Sequence, residues 1–392
     1  MEIKQIYTLM NNVSSEVLGK TDLISEDLTG IVDMGVAVFN ANAVDNYVKS
    51  LVNHIGKVVF VNRPYSGKIP SVLMDAWEFG SVLEKISADV PQAEENDSWN
   101  LTDGTEYKQD VFHKPTVTAK FFNSKVTFEV PVSITERQVK ESFSSAAQLN
   151  GFISMIYNAV EKSMTIKTDA LVMRTINNMI AETLNADKTA FVPSGKSAPD
   201  YTTSSTVRCV NLLKLYNDAK GATLTATKAV TDPEFIRFAS YTMGLYADRM
   251  QSISTLFNVG GKERFTPKDM LHVVLLSDFA KAAQTYLYSD TYNKTEVLLP
   301  NAETVPSWQA SGKDYAFANV SKIDVKSSGG ASISIGGVLG VMFDRDALGV
   351  CNFDRRVTTN YNAKAEFFNN YYKFDAEYFN DTNENFVVFF VA

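Results

Sequence analysis

The sequence predicts an α+β fold in which one long helix organises the rest of the chain, and three observations support this prediction. Residues 144–180 contain no proline and one glycine, and their apolar side chains recur every three or four positions, as in a helix with a single apolar stripe. Residues 270–276 form an apolar run around His272, which is typical of a strand buried on both faces. Residues from 349 onward alternate in polarity and are rich in Tyr and Phe, which favours strands.

The predicted helix over residues 144–180 is unusually long for a globular domain. At about 1.5 Å per residue it would span about 55 Å, whereas an ordinary helix has about a dozen residues. We therefore expect a spine to which other parts of the chain attach. The β-branched residues within 165–168 leave two shorter helices as the alternative, and a single straight or gently bent helix is favoured.

Length and composition limit the possible functions. A chain of 392 residues forms two or more domains, or one core with large excursions. Its net charge of −8 disfavours a protein that grips nucleic acid through its phosphates, although the wall of a nucleic-acid container needs no such attraction. Cys209 and Cys351 are far apart and are predicted to be reduced, buried thiols. Neither a secretory signal nor a membrane-length apolar run is evident, so we expect no membrane association and a cytoplasmic origin.

Residues 89–115 are acidic, polar and rich in turn-forming residues. β-type stretches flank them, and the alternation within residues 116–131 predicts paired strands. This pattern indicates a long hairpin or loop that projects from the body and requires a partner surface. Its acidic cluster could bind a metal ion, but the spacing is not that of a calcium loop, so a solvated or inter-subunit charge patch is favoured. The cluster consists of Glu94, Glu95, Asp97 and Asp103.

The remaining elements are predicted from local patterns. Residues 1–29 lack a long period and predict an extended arm with short helices, held by a neighbouring subunit. Residues 184–206, rich in Ser, Thr, Pro and Gly, predict a connector. Further helices are predicted at 42–55, 207–222, 233–256 (capped by Thr231 or Asp232) and after Asp278, and a strand at 57–63.

We find no sequence signature of an enzyme, a metal site or a cofactor site. The glycine-rich residues 336–340 lack the Lys-Ser/Thr of a phosphate loop and instead predict tight backbone within a strand. His272 is predicted to be a structural histidine that is hydrogen-bonded in the core. The many carboxylates leave a carbohydrate-active enzyme as the alternative from a different functional class.

Two segments carry a resemblance to a known family. Residues 50–59 read SLVNHIGKVV, and residues 338–391 combine an Asp-led DRD turn at 344–346 with an aromatic strand ending. Together with the long helix between them, they resemble the major capsid proteins of tailed phages, which have the Hong Kong 97-type fold. Within that group, the sequence is most similar to the shell proteins of small short-tailed phages.

The resemblance implies a division of the chain into the parts of that fold. These are an N-terminal arm (1–40), a first part of the P-domain (41–59), an E-loop (60–131), the P-domain with the spine helix (132–204), an A-domain (205–342) and closing P-domain strands (343–392).

The resemblance also implies a function. The chain would self-assemble into the pentamers and hexamers of an icosahedral phage head that encloses double-stranded DNA, with no catalysis and no cofactor. Its partners would be further copies of itself, a separate scaffolding protein and a portal protein, with assembly in the host cytoplasm. An encapsulin-like compartment shell is the alternative on the same fold. The expected interface residues are Trp77, Glu78, Trp99, Asp103, Lys108, Arg355 and Arg356, of which the two arginines could instead be solvated charges.

Overall fold

The structure is a computed structural model. It describes residues 3–19, 46, 50, 69, 72–74, 83–88, 91, 93–107, 110, 112–114, 116–138, 146–288, 302–309, 315–327 and 329–392. The predicted helix at 42–55 lies outside these residues except for Asn46 and Ser50, which are helical, and the predicted strand at 57–63 lies wholly outside them.

The spine is a single helix, α2, over Ala146–Ala186, which confirms the prediction for this segment. The alternative of two helices broken near residues 165–168 is wrong. The hydroxyls of Thr165 and Thr168 donate to the carbonyls of Glu161 (2.9 Å) and Met164 (3.0 Å). These β-branched residues therefore bond to the preceding turn and do not interrupt the helix.

The N-terminal residues form one helix, α1, over Ile3–Leu18. The prediction of an extended arm with short helices is therefore wrong for this stretch, since Ile6, Met10 and Val13 already have helical spacing. Met10 and Val13 are buried. The Ser50 hydroxyl donates to Glu16 over 2.5 Å and so links α1 to the chain that follows it.

A three-stranded antiparallel sheet in the order β10-β11-β3 packs against α2. Its strands are Lys125–Thr135 (β3), Leu348–Asn362 (β10) and Phe367–Asn380 (β11). The prediction of paired strands within residues 116–131 is confirmed: Val117–Phe122 pairs with Leu83–Ala88 across the acidic segment, as expected for a hairpin, and β3 pairs with β11. The pairing of β3 with β11 includes eleven residue pairs, and it places the ring centroids of Phe128 and Phe374 5.1 Å apart. The neighbouring strand Val117–Phe122 has only six residues and could not form as many pairs with β3.

A five-stranded mixed sheet in the order β4-β12-β9-β5-β6 forms the second layer. One face packs against helices α3, α4 and α5, and the other packs against the C-terminal half of α2. Its strands are Cys209–Asn211 (β4), Leu271–Leu276 (β5), Ala302–Val305 (β6), Val338–Asp344 (β9) and Phe386–Phe390 (β12). The helices are Leu212–Lys220 (α3), Pro233–Arg249 (α4) and Ser277–Tyr288 (α5), and a small hairpin joins Ile323–Lys326 (β7) to Ser332–Ile335 (β8).

Three local predictions in this region can be compared with the structure. The predicted helix at 207–222 begins as strand β4, because residues 209–211 complete the sheet beside β12. Helix α4 ends at Arg249, earlier than the predicted 256, and Asp232 caps it by accepting from the Phe235 amide over 2.8 Å. A Cβ at Gly337, whose φ is +75°, would lie 1.9 Å from the Val391 carbonyl oxygen, and one at Gly340 would lie 2.9 Å from the Val274 carbonyl oxygen. The tight backbone predicted for residues 336–340 is therefore confirmed at these two glycines but not at Gly336, where a Cβ would meet nothing within 4 Å.

Two side-chain predictions had different outcomes. Cys209 and Cys351 are both buried and form no disulfide, as predicted. The prediction of a hydrogen-bonded His272 is wrong, because within the described part of the chain neither ring nitrogen has a hydrogen-bond partner. Its ring instead lies 6.0 Å from that of Phe343, and burial together with the nearby charge of Arg345 lowers the pKa of His272. Among the helices that the structure describes, none is both long and apolar enough to cross a membrane.

Candidate assembly surface

Two short strands, Leu83–Ala88 (β1) and Val117–Phe122 (β2), form an antiparallel hairpin. The residues between them, 91–114, are referred to here as the tip. Because side chains alternate along a strand, the hairpin has two distinct faces. The inner face is half-buried and carries Leu83, Lys85, Ser87, Thr118, Lys120 and Phe122; the outer face is exposed and carries Glu84, Ile86, Ala88, Val117, Ala119 and Phe121.

The inner face attaches the hairpin to the body through ion pairs. Lys85 Nζ lies 2.8 Å from Glu384 Oε1 and 3.1 Å from Asp381 Oδ2, and Lys120 Nζ lies 3.0 Å from Asp381 Oδ1. Both carboxylates belong to the turn between β11 and β12, which Arg264 also reaches through a 3.2 Å contact with Glu384. We call the side chains of Lys85, Lys120, Arg264, Asp381 and Glu384 the ionic anchor.

The ionic anchor holds charges that would be costly if they were unpaired. Asp381 is 2% exposed and Glu384 is 8% exposed, so their carboxylates depend on the lysines for compensation. Burial acts to raise the pKa of Asp381, but the charge of Lys85 and hydrogen bonds from Asn383 and Lys120 outweigh it and hold that pKa below its usual value. Burial likewise acts to lower the pKa of Lys85, but Glu384 and Asp381 hold it above its usual value. Both groups are therefore charged near neutral pH.

The outer face is unusually apolar for the exposed face of a surface hairpin. Ile86 and Phe121 are each 64% exposed, and Val117 is also exposed. A two-stranded sheet on a protein surface normally turns its apolar face to the body and its charged face to water. Here Lys85 and Lys120 face the body beside Leu83 and Phe122, whereas the outer face carries Ile86, Val117 and Phe121 with Glu84 as its one charge. An exposed apolar face of this kind is typical of a surface that another molecule covers.

The tip is folded, although every described residue in it is exposed. Asn96 Oδ1 accepts from the Ser98 amide over 2.9 Å, and the Tyr107 hydroxyl accepts from the Thr102 amide over 3.0 Å. Trp99 ends a short 3₁₀ turn and is 92% exposed. The tip therefore holds its large side chains in water without a core of its own, and Leu101 and Phe112 are exposed in the same way.

The structure places the predicted site residues in separate parts of the fold. Trp99 and Asp103 lie in the tip, whereas Trp77, Glu78 and Lys108 lie outside the described residues. The acidic residues predicted as a charge patch, Glu94, Glu95, Asp97 and Asp103, are all exposed. The described residues contain no group of His, Cys, Asp or Glu side chains that could hold a metal ion.

The two predicted arginines lie on β10, away from the tip, and have different environments. Arg356 Nη1 lies 2.6 Å from Asp375 Oδ2 on the exposed face of the sheet. Arg355 is partly buried, and burial lowers its pKa while the charge of Glu161 opposes that shift. Neither arginine is simply a solvated charge.

Neither the ionic anchor nor the outer face was predicted from the sequence. The alternation within residues 83–88 and 117–122 was a usable signal for the hairpin faces. Lys85 and Lys120 pair with residues more than 250 positions later, and this pairing had no local signal.

Comparisons with known proteins support one family. The family model of the Phi29-like phage major capsid protein matches residues 8–390. No curated protein sequence matches the chain. A chain in the capsid structure of Staphylococcus phage Andhra has 8% identity and a TM-score of 0.51, with 84% of this chain and 86% of that chain covered. A chain in the structure of the head fiber and inner core protein of native bacteriophage P68 has 8% identity and a TM-score of 0.50, with 85% and 86% covered.

At such low identity the structural matches show the fold alone, and they confirm the predicted Hong Kong 97-type capsid fold. The family match gives the function: the protein is a structural component of a phage capsid, assembled from many copies of the chain, and hence part of the virion. Neither alternative, the encapsulin-like compartment or the carbohydrate-active enzyme, finds support in these matches. With a family model that spans almost its whole length, the chain belongs to the Phi29-like phage major capsid proteins.

Proposed function

We propose that this capsid protein assembles into pentamers and hexamers of an icosahedral head that encloses double-stranded DNA, and that the outer face of the β1–β2 hairpin is a principal contact between copies. Its role is structural and not catalytic. Assembly takes place in the host cytoplasm with a separate scaffolding protein, and one vertex of the head holds a portal protein. The chain is divided into an N-terminal arm, an E-loop, a P-domain and an A-domain at the boundaries given above.

The observation that carries this proposal is the exposed apolar outer face of the hairpin. Fully burying a Val, Ile or Phe side chain contributes about 1.5–3 kcal/mol. Burying Ile86, Val117 and Phe121, each more than half exposed, would contribute about 3–6 kcal/mol per contact before the entropic cost of association. A modest contact of this kind, repeated around every ring of a closed shell, is sufficient to hold the shell together.

The charge balance supports a container that does not bind its contents tightly. A net charge of −8 gives little attraction to phosphates. The DNA would therefore be enclosed without sequence-specific binding. Among the predicted interface residues, Trp99 and Asp103 fit this proposal, because the tip exposes them.

The test is the size of the particles that the purified chain forms, measured by sedimentation and negative-stain microscopy with and without candidate scaffolding proteins. We expect megadalton shells or sheets of five- and six-membered rings. The variant Phe121→Asp should reduce the yield of particles at least tenfold, because it places a charge on the outer face. The matched control Thr358→Asp adds the same charge at an exposed strand position on β10 and should assemble normally. A parent chain that remains monomeric or dimeric under all conditions would contradict the proposal.

A further inference from the structure

The turn between β11 and β12, residues 381–385, is in contact with two separate parts of the chain. On one side it receives the β1–β2 hairpin through the two lysines of the ionic anchor. On the other side it is covered by residues 254–264, a loop that a backbone bridge between Ser254 and Arg264 closes at its base. We call residues 254–264 the covering loop. The turn thus links two segments that are far apart in the sequence.

The covering loop fits closely on the turn. The Gly260 amide donates to the Thr382 carbonyl over 2.8 Å, and the Phe386 amide, just after the turn, donates to the Phe257 carbonyl over 2.9 Å. A Cβ at Gly260 would lie 2.1 Å from Asn383 Oδ1 and 3.3 Å from the Cα of the same residue. Because close-packed groups transmit small displacements, a change in the turn reaches the covering loop.

One oxygen atom of the turn is shared between the hairpin and the covering loop. Lys85 Nζ lies 2.8 Å from Glu384 Oε1, and Arg264 Nε lies 3.2 Å from the same atom. The side chains of Lys85 and Arg264 are only 24% and 15% exposed, and Glu384 is buried, so water screens these three charges only in part. The two cations therefore repel each other across a single carboxylate.

The charges around this carboxylate do not remove the conflict. The ionic anchor contains three cations and two carboxylates, so positive charge is in excess. Asp344 is close enough for burial and the charge of Glu384 together to raise the pKa of Asp344. The oxygens of Asp344, however, accept from the Thr266 hydroxyl over 2.8 Å and from the Asp346 amide over 2.9 Å. Each cation of the anchor is consequently held less strongly while the others are present.

We propose that the hairpin and the covering loop compete for Glu384, so that seating the hairpin on the turn weakens the hold of the turn on the loop, and lifting the hairpin tightens it. When Lys85 withdraws, Arg264 binds Glu384 without a second cation beside it. The coupling is reciprocal, because the factor by which the hairpin weakens the loop equals the factor by which the loop weakens the hairpin. The competition takes place within one chain and does not depend on the proposed function.

The first experiment measures amide hydrogen exchange of the unassembled subunit in the parent, in Lys85→Met and in Arg264→Met. The amides of Ser254, Gly260 and Arg264 are hydrogen-bonded, so their exchange reports opening of the covering loop. In Lys85→Met we expect faster exchange in β1 and β2 and, at the same time, several-fold slower exchange in the covering loop. In Arg264→Met we expect faster exchange in the covering loop and slower exchange in β1 and β2, by the same factor.

Exchange in the covering loop that is unchanged or faster in Lys85→Met would overturn the inference, because the hairpin would then exert no weakening effect on the loop. The matched control is Lys120→Met, since Lys120 contacts Asp381 Oδ1 and the Thr382 hydroxyl in the same turn. This control should loosen the hairpin without slowing exchange in the covering loop. Equal slowing in Lys85→Met and Lys120→Met would show that Glu384 is not the shared group and would also overturn the inference.

The second experiment is a double-mutant cycle measured by urea unfolding. Lys85→Met and Arg264→Met each leave Glu384 with one of its two cations, whereas the double variant leaves it without either. We expect the loss of stability in the double variant to exceed the sum of the two single losses, and the losses of Lys120→Met and Arg264→Met to add. Losses that are additive or less than additive for Lys85 and Arg264 would contradict the competition. Lys85→Gln and Arg264→Gln take the place of any Met variant that does not fold.

Discussion

The ionic anchor gives a quantitative prediction for the variant Lys85→Met. Removing one partner of a buried ion pair usually costs about 3–5 kcal/mol, because the remaining charge stays buried. The Lys85 side chain is 24% exposed, and Lys120 and Arg264 still face the carboxylates. We therefore expect opening of the hairpin to become easier by about 2–3 kcal/mol.

The assay is amide hydrogen exchange of the unassembled subunit, followed in peptides that cover β1 and β2. A change of about 2–3 kcal/mol corresponds to roughly 30–150-fold faster exchange there, whereas peptides from α4 should be unaffected. The control Lys373→Met also removes a lysine from an ion pair, but its partner Glu129 is 44% exposed at 3.4 Å, so its effect should stay within about 0.5 kcal/mol. Equal exchange rates in the two variants would refute the argument that burial makes the ionic anchor strong.

The same anchor predicts a pH range for hairpin protection. The pKa of Asp381 is lowered in the folded chain, so its contribution is present above the ordinary carboxyl pKa of about 3.9 and is lost as pH falls through the lowered value. The pKa of Lys85 is raised, so its contribution is present below about 10.4 and is lost as pH rises through the raised value. The neighbouring Asp344, whose pKa burial raises, acts in the opposite sense at low pH. We expect protection of β1 and β2 to be constant between about pH 5 and pH 9 and to decline progressively outside that range, with a smaller pH dependence in Lys85→Met.

Two further predictions concern the body of the fold. Gly337→Ala should destabilise the subunit by about 3 kcal/mol or more, because the new Cβ would collide with the Val391 carbonyl and φ is positive. The assay is urea unfolding, and the control is Gly336→Ala, whose new Cβ meets nothing within 4 Å. Similar unfolding midpoints for the two variants would contradict the prediction. Asp232→Ala should lose about 1 kcal/mol with the cap on the Phe235 amide, whereas Asp232→Asn should lose little, and an equal loss in both variants would contradict the capping role.

Elements with a strong local period could be predicted from the sequence. The apolar spacing of the spine helix extends over many turns, and the buried run at 271–276 is bounded by a polar residue that starts α5. Asp232 and Pro233 gave the start of α4 through cap chemistry that acts within three residues. In each of these cases, the physical cause of the structure lies within the segment itself.

Strand partners and the ionic anchor depend on residues far apart in the chain. Strand β3 could have paired with its sequence neighbour β2, and only the longer register offered by β11 decides otherwise. Lys85 and Lys120 look like ordinary solvated charges until the turn at Asp381 and Glu384 is placed beneath them. The acidic, turn-rich composition of the tip thus allowed the projecting hairpin to be placed along the chain. Which of its side chains face the body and which face outward was not predicted.

The most direct test of the account is an electron cryo-microscopy map of the particles that the purified chain forms. We predict closed shells of five- and six-membered rings in which the outer face, with Ile86, Val117 and Phe121, is covered by a neighbouring copy, while the ionic anchor stays within one chain. Shells in which those three side chains remain in solvent would contradict the central claim about how this capsid protein assembles.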